Sequence, residues 1–200
     1  MATAPAPTRA EVFNLPNQLT AGRLVLALVL FVLIAWEQWV ACVLVFIVAA
    51  ITDWLDGYYA RKLGLTSSLG RNFDPLVDKV LICGAFIFLQ TVDNAGLTAW
   101  MVTLVVAREL IITSLRSFFE NLGANFGADW LGKIKMVLQC AALLAIFVAL
   151  YIQQQDGPPA LRSGFNLLRD VLVYGMLAAT ALSGLQYLWR AALLIKSDEA

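Results

Sequence analysis

The sequence predicts an all-α integral membrane protein, a bundle of six transmembrane helices with both termini on the cytoplasmic side. Three observations predict it. Of 200 residues, 60% are A, V, I, L, M, F, W, Y or C, whereas soluble chains reach roughly 45–50% on a count that also includes glycine. Only 14% are charged, against roughly 25% in ordinary soluble proteins, so one core cannot hide the apolar surplus and lipid must be the solvent. The apolar residues also fall into six runs, each long enough to cross a bilayer, which takes about 20 residues at 1.5 Å rise.

In chain order, residues 1–13 are Pro- and Ala-rich and read as a flexible tail. Pro16 then fits the first turn of a helix, where proline's missing N–H is no loss, and the first span is Asn17–Trp36. A cleaved signal peptide competes for residues 1–36, but its basic n-region would be thin and Pro16-Asn17 would interrupt its start. Glu37-Gln38 separate the second span, Trp39–Arg61, and a polar connection over 62–73 leads to the third, Asp74–Val92. Asp93-Asn94-Ala95-Gly96 precede the fourth, Thr98–Glu120, and a glycine-containing connection over 121–131 precedes the fifth, Gly132–Gln154. Asp156-Gly157-Pro158-Pro159 break the chain before the last, Asn166–Ile195. Residues 14–196 thus form one membrane domain, with 197–200 a short tail.

Lysine and arginine set the orientation. Arg9, Arg23, Arg61, Lys62, Arg71, Lys79, Arg116, Lys133, Lys135, Arg190 and Lys196 fall on one side, and Arg162 and Arg169 on the other. The rich side is cytoplasmic, and the membrane expected for the chain is the inner one. Trp36, Trp39 and Trp100 mark the outer boundary, and Trp130 and Trp189 the inner one.

Formal net charge is zero, with 14 basic and 14 acidic residues, which argues against nucleic acid as a partner because phosphates demand a basic surplus. There is no histidine, so histidine-dependent triads and HExxH zinc sites are excluded. Cys42, Cys83 and Cys140 lie in apolar runs without CxxC spacing and read as buried helix thiols.

The second and third spans carry acids where apolar residues belong. Their uninterrupted apolar runs, Val40–Ile51 and Val80–Leu89, hold twelve and ten residues, too few to cross. Each helix must therefore continue through Asp53 and Asp56, or through Asp74 and Asp78. A charge at membrane depth costs roughly 2.5–3.5 kcal/mol and marks a functional candidate. The i, i+3 and i, i+4 spacings put each pair on one face, and the two pairs end up at the cytoplasmic ends of consecutive antiparallel helices. Four converging carboxylates repel unless cations sit among them. An all-oxygen set suits hard divalent ions such as Mg²⁺ or Mn²⁺, and two ions match four acids. The alternative is interfacial ion pairing with Arg61, Lys62, Arg71 and Lys79. Gly57 favours the ligand reading, since a helical glycine is unfavourable yet lets a ligand approach the backbone. Ala60 is similarly small, and Gly70 falls in the connection.

The string Asp53-x2-Asp56-Gly57-x2-Ala60-Arg61-x8-Gly70-x3-Asp74-x3-Asp78 fixes eight positions across 26 residues. It resembles, without departure, the signature of the CDP-alcohol phosphotransferases. The resemblance implies a six-helix membrane enzyme, a homodimer, that holds two Mg²⁺ or Mn²⁺ ions and transfers a group from a CDP-activated donor to an alcohol, releasing CMP. It implies Asp53, Asp56, Asp74 and Asp78 as metal ligands, with Asp78 also the general base. It gives Asp56, Gly57, Ala60, Arg61 and Gly70 to the CDP donor.

The acceptor is read from other residues. Arg108 lies inside the fourth span, Arg116 is just over two turns closer to the cytoplasm on nearly the same face, and Lys133 and Lys135 open the fifth. Such cations suit an acceptor carrying a phosphate, though the lysines also serve as positive-inside anchors. A mid-span arginine needs a partner or a ligand, and Glu109, about 100° away on the helix, is no obvious partner. The strings Asn14-Leu15-Pro16-Asn17-Gln18-Leu19-Thr20-x2-Arg23, Thr52–Gly57, Phe73–Lys79, Ala107-Arg108-Glu109-Leu110-x5-Arg116 and Gly132-Lys133-x-Lys135 resemble the phosphatidylglycerophosphate synthase branch. That implies CDP-diacylglycerol as donor, glycerol 3-phosphate as acceptor, and Arg108, Arg116, Lys133 and Lys135 as the acceptor-phosphate set. Met136 departs from that branch, where threonine is expected. Other acceptors within the family (inositol phosphate, serine, phosphatidylglycerol) stay open, as does divalent-cation transport, against which the acids cluster at one end. The last span carries no motif.

Overall fold

The computed structural model describes the backbone of residues 15–63, 68–121 and 130–198, and the side chains of residue 18 and of 20–53, 76–119 and 130–193. Among the described residues there are six helices and no strand: α1 (Leu15–Ala35), α2 (Trp39–Leu63), α3 (Ser68–Leu89), α4 (Ala99–Asn121), α5 (Trp130–Gln154) and α6 (Pro159–Asp198). The tail expected over 1–13 lies outside them. Packing divides the chain into two compact units, Met1–Ala85 and Phe86–Ala200.

In the first unit α1 packs on α2. The buried positions of α1 are Thr20, Arg23, Ala27, Leu30 and Ile34, and those of α2 are Trp39, Cys42, Phe46 and Ala49. Both follow the alternating three- and four-residue spacing that keeps one seam facing a neighbouring helix. The outward positions are apolar too, including Val25, Leu28 and Val32 on α1 and Leu44, Val48 and Ile51 on α2, as a lipid-facing surface requires. The α1–α2 turn is closed by Gln38 N–H to Leu33 O at 2.9 Å and Glu37 N–H to Ile34 O at 3.0 Å, with Glu37 at φ 55°, the two bonds of a Schellman motif. Against α1 lies α3. A Cβ at Gly84 would fall 2.2 Å from the ring tip of Phe31, so the ring fills the space that glycine leaves.

In the second unit α6 packs on both α5 and α4. Its buried seam runs through Arg169, Val173, Met176, Thr180, Ser183, Tyr187 and Ala191, so polar and apolar positions share it. The α5–α6 turn repeats the Schellman pattern, with Gly157 N–H to Ile152 O and Asp156 N–H to Gln153 O both 3.1 Å and Asp156 at φ 50°. Among the described residues two helices, Trp130–Gln154 and Pro159–Leu193, are long and apolar enough to cross a membrane, and Thr20–Ala35 and Trp39–Asp53 are shorter apolar stretches.

Several sequence expectations need correction. The third helix starts at Ser68 rather than Asp74, so Gly70 is helical and not in a connection. One glycine does not break a turn whose other residues continue the ladder. The last helix starts at Pro159 rather than Asn166, because Pro158 O accepts from Leu161 N at 2.9 Å and Arg162 N at 3.0 Å and Pro159 stands at the first helical position, where proline is favoured. It continues through Ser197 and Asp198, which were expected in the C-terminal tail. Trp39 is buried, while Trp36, Trp100, Trp130 and Trp189 are exposed. Trp39 opens the buried seam of α2 and so faces protein. Cys42 is buried, Cys83 and Cys140 are half-buried, and no disulfide forms among the described residues.

Candidate active site

Beyond Trp39, Cys42, Phe46 and Ala49, the next position in that register on α2 is Asp53. Arg23 occupies the corresponding stripe on α1 and is 1% exposed. Its Nη1 donates to Asp78 Oδ1 of α3 at 2.6 Å and lies 2.9 Å from Asp53 Oδ1 of α2. One buried cation thus gathers carboxylates from two helices. Asp53 and Asp78 are 39% and 29% exposed, so the guanidinium is sealed while the acids open toward water. Helix α1 runs parallel to α3, since Arg23 meets Asp78 and Phe31 meets Gly84 in the same order along both.

Asp56, Gly57, Ala60 and Arg61 lie on α2, and Gly70 and Asp74 on α3, Asp56 and Asp74 each about one turn from the acid seen with Arg23. Of these residues only the helical backbone falls among those described. No group of three or more metal-ligating side chains is assembled among the described residues.

The second unit holds a basic cluster. Arg108 Nη1 donates to Glu109 Oε1 at 3.1 Å, and the same carboxylate oxygen pairs with Lys135 Nζ of α5. Glu109 and Lys135 are both buried. The expectation that Glu109 is no obvious partner for Arg108 is therefore corrected: the long arginine side chain reaches across the 100° that separates adjacent helical positions. From α6, Ser183 Oγ accepts from Arg108 Nη2 and Tyr187 Oη accepts from Arg116 Nη2 at 2.7 Å. Three of the four expected acceptor cations are thus gathered around one carboxylate and one helix. Lys133, two residues from Lys135, is exposed on another side of α5. Met136 is exposed as well, which turns that departure away from the Glu109–Lys135 pair.

A family model described as CDP-alcohol phosphatidyltransferase matches residues 13–182. The chain belongs to the CDP-alcohol phosphatidyltransferase family. A Bacillus subtilis (strain 168) protein named CDP-diacylglycerol–glycerol-3-phosphate 3-phosphatidyltransferase is 38% identical, over 68% of this chain and 77% of the relative. An Escherichia coli (strain K12) protein of the same name is 36% identical, over 66% and 75%. Members of the CDP-alcohol phosphatidyltransferase family use divalent cations. The residues described here fit such an ion: a hard, all-oxygen pair from two helices already converges on a cationic position.

The sequence reading missed three parts of this arrangement. Arg23 enters the sequence reading as an orientation charge and as the last position of the Asn14–Arg23 string, with no role of its own, although its spacing from Thr20, Ala27, Leu30 and Ile34 is the seam period. Ser183 and Tyr187 lie in a span without a motif, and serine and tyrosine at helical spacing carry no signal by themselves.

Proposed function

We propose that this chain transfers the phosphatidyl group of CDP-diacylglycerol to glycerol 3-phosphate, giving phosphatidylglycerophosphate and CMP. The observation that carries the reading is the meeting of Asp53 and Asp78 across two helices, within the eight-position signature of the family. The names of the bacterial relatives support the choice of donor and acceptor.

The carboxylates of Asp53, Asp56, Asp74 and Asp78 would hold two Mg²⁺ or Mn²⁺ ions, which when bound neutralise the pyrophosphate and the leaving CMP. Gly57, Ala60 and Gly70 leave backbone surface for the nucleotide, and Arg61 supplies charge for its phosphates. Asp78 accepts the proton of the primary hydroxyl as its oxygen attacks the phosphorus bearing diacylglycerol. The bond from that phosphorus to the CMP oxygen breaks in line, so one P–O bond forms as one is lost. Arg108, Arg116, Lys133 and Lys135 hold the acceptor's phosphate.

We infer a six-span fold over residues 14–196 with both termini and the carboxylates on the cytoplasmic side of the inner membrane, working as a homodimer. The apolar outer faces of α1 and α2 and the loop charges support the membrane placement. The test is CMP release by purified protein given CDP-diacylglycerol and a panel of acceptors. Turnover with glycerol 3-phosphate, lost in EDTA and restored by Mn²⁺ or Mg²⁺, is expected. Turnover only with inositol phosphate or serine would overturn the acceptor, and none with any acceptor would overturn the reaction.

A further inference from the structure

Helix α6 does more than complete the bundle. Its seam presents Ser183 and Tyr187 to two arginines of α4, one residue for each guanidinium. The Tyr187 ring also lies under both of them, 5.9 Å from Arg108 Cζ and 5.6 Å from Arg116 Cζ, within the range at which a cation is drawn to an aromatic face. Two like charges therefore share one ring as a spacer. The ring cannot drift, because it is buried in an apolar cluster with Ile112, Phe119 and Ala191. Helix α6 also lets Arg108 lie close: a Cβ at Gly184 would come within 3.3 Å of Arg108 Cγ.

The two guanidiniums are held but not saturated. Nε of Arg108 and Nε of Arg116 are buried donors without a hydrogen-bond partner among the described residues. The Arg108 side chain is only 10% exposed, and such an N–H is unfavourable unless an acceptor arrives. Arg108 and Arg116 thus each keep one donor that their own contacts do not consume, as a site for an anionic group requires.

We propose that Tyr187 and Ser183 are positioning residues that fix the spacing of Arg108 and Arg116 for the acceptor's phosphate, so that the last helix sets acceptor affinity. This rests on the reading of those arginines as the acceptor-phosphate site. Tyr187 acts through Arg116 and through the shared ring, and Ser183 acts through Arg108.

The experiment uses the purified full-length protein in detergent, with KM for glycerol 3-phosphate, KM for CDP-diacylglycerol and kcat measured alongside the melting temperature. Tyr187→Phe keeps the ring and its packing and removes one hydrogen bond to a charged group. The KM for glycerol 3-phosphate should rise about tenfold, as expected for losing a charge-assisted bond. The kcat should stay within about twofold, and the KM for CDP-diacylglycerol and the melting temperature should not change. Ser183→Ala should do the same, and Tyr187→Leu, which also removes the ring, should raise that KM further. An unchanged KM in Tyr187→Phe, or a fall in kcat with both KM values rising together, overturns the proposal. Arg108→Ala separates the two levels of the argument. If it raises the glycerol 3-phosphate KM while Tyr187→Phe does not, only the role of α6 fails. If it leaves that KM unchanged, the acceptor reading fails and the role of α6 with it.

Discussion

Arg23 offers the sharpest test of the carboxylate site. It is fully buried, and one of its nitrogens meets Asp78 at 2.6 Å and Asp53 at 2.9 Å. Removing the charge takes from both carboxylates the cation that they share. Unit charges about 4 Å apart attract by about 4 kcal/mol at an effective dielectric constant near 20, and breaking a buried pair from one side costs about 3–5 kcal/mol. Asp53 and Asp78 are about a third exposed, so water takes back part of this and a loss of roughly 2–4 kcal/mol is expected. For a chain of this size each kcal/mol moves the melting temperature by about 2–4 °C, so Arg23→Met, which keeps an apolar stem of similar reach, should melt roughly 5–15 °C below the parent in EDTA. A divalent cation bound by the same carboxylates replaces the missing charge, so millimolar Mn²⁺ should stabilise the variant by more than it stabilises the parent. Adding Asp78→Asn to Arg23→Met should recover stability in EDTA, the non-additivity expected of directly interacting charges. A variant melting within about 1 °C of the parent in EDTA, a loss well under 1 kcal/mol on the same scale, would refute the countercharge role.

Three further outcomes follow from the same contacts. Asp78→Asn should cut CMP release by about 10²–10⁴-fold, the range a general base contributes, as read by single-turnover release at saturating substrates. Glu109→Ala removes the carboxylate that Lys135 and Arg108 share among buried groups and should destabilise by about 3 kcal/mol, measured as a drop in melting temperature that Glu109→Gln only partly reproduces. Gly84→Ala pushes a methyl toward the Phe31 ring, 2.2 Å away before relaxation, and should cost about 1–3 kcal/mol as overpacking does. In the Phe31→Ala background the same substitution should cost far less, and an equal cost in both would show that the Gly84–Phe31 contact is not the cause.

The helices were readable because charged and turn-forming residues interrupt apolar runs at few points. Glu37, Asn94 and Asp156, each within an anticipated break, are the described non-glycine residues with positive φ. The breaks at Glu37-Gln38 and Asp156-Gly157 are closed Schellman turns whose left-handed residue is an acid rather than glycine. The acids on α2 and α3 were readable for a different reason, since twelve and ten apolar residues cannot cross and the helix had to carry the acids along. What stayed hidden were partners. An arginine at a helix end reads as an orientation charge, and no count of loop charges says that Arg23 turns inward. Seam register says it: Arg23 shares its stripe with Ala27, Leu30 and Ile34.

Register also explains why the functional polar groups lie where they do. On α2 the buried positions run from Trp39 to Ala49 and the partly exposed Asp53 follows in the same register, and on α6 Val173 and Met176 are followed by Thr180, Ser183 and Tyr187. Each helix keeps one protein-facing seam on which apolar positions pack and polar positions meet partners. The outward faces stay apolar because lipid penalises a charge by roughly 2.5–3.5 kcal/mol at depth. A buried charge on such a seam must in turn meet an opposite charge or a ligand. Arg23 between Asp53 and Asp78, and Glu109 between Arg108 and Lys135, are the same solution with opposite signs. Among the described contacts, one cation meets two carboxylates in the first unit and one carboxylate meets two cations in the second. Zero net charge over the whole chain says nothing of this arrangement, because an even count of acids and bases does not tell which of them meet.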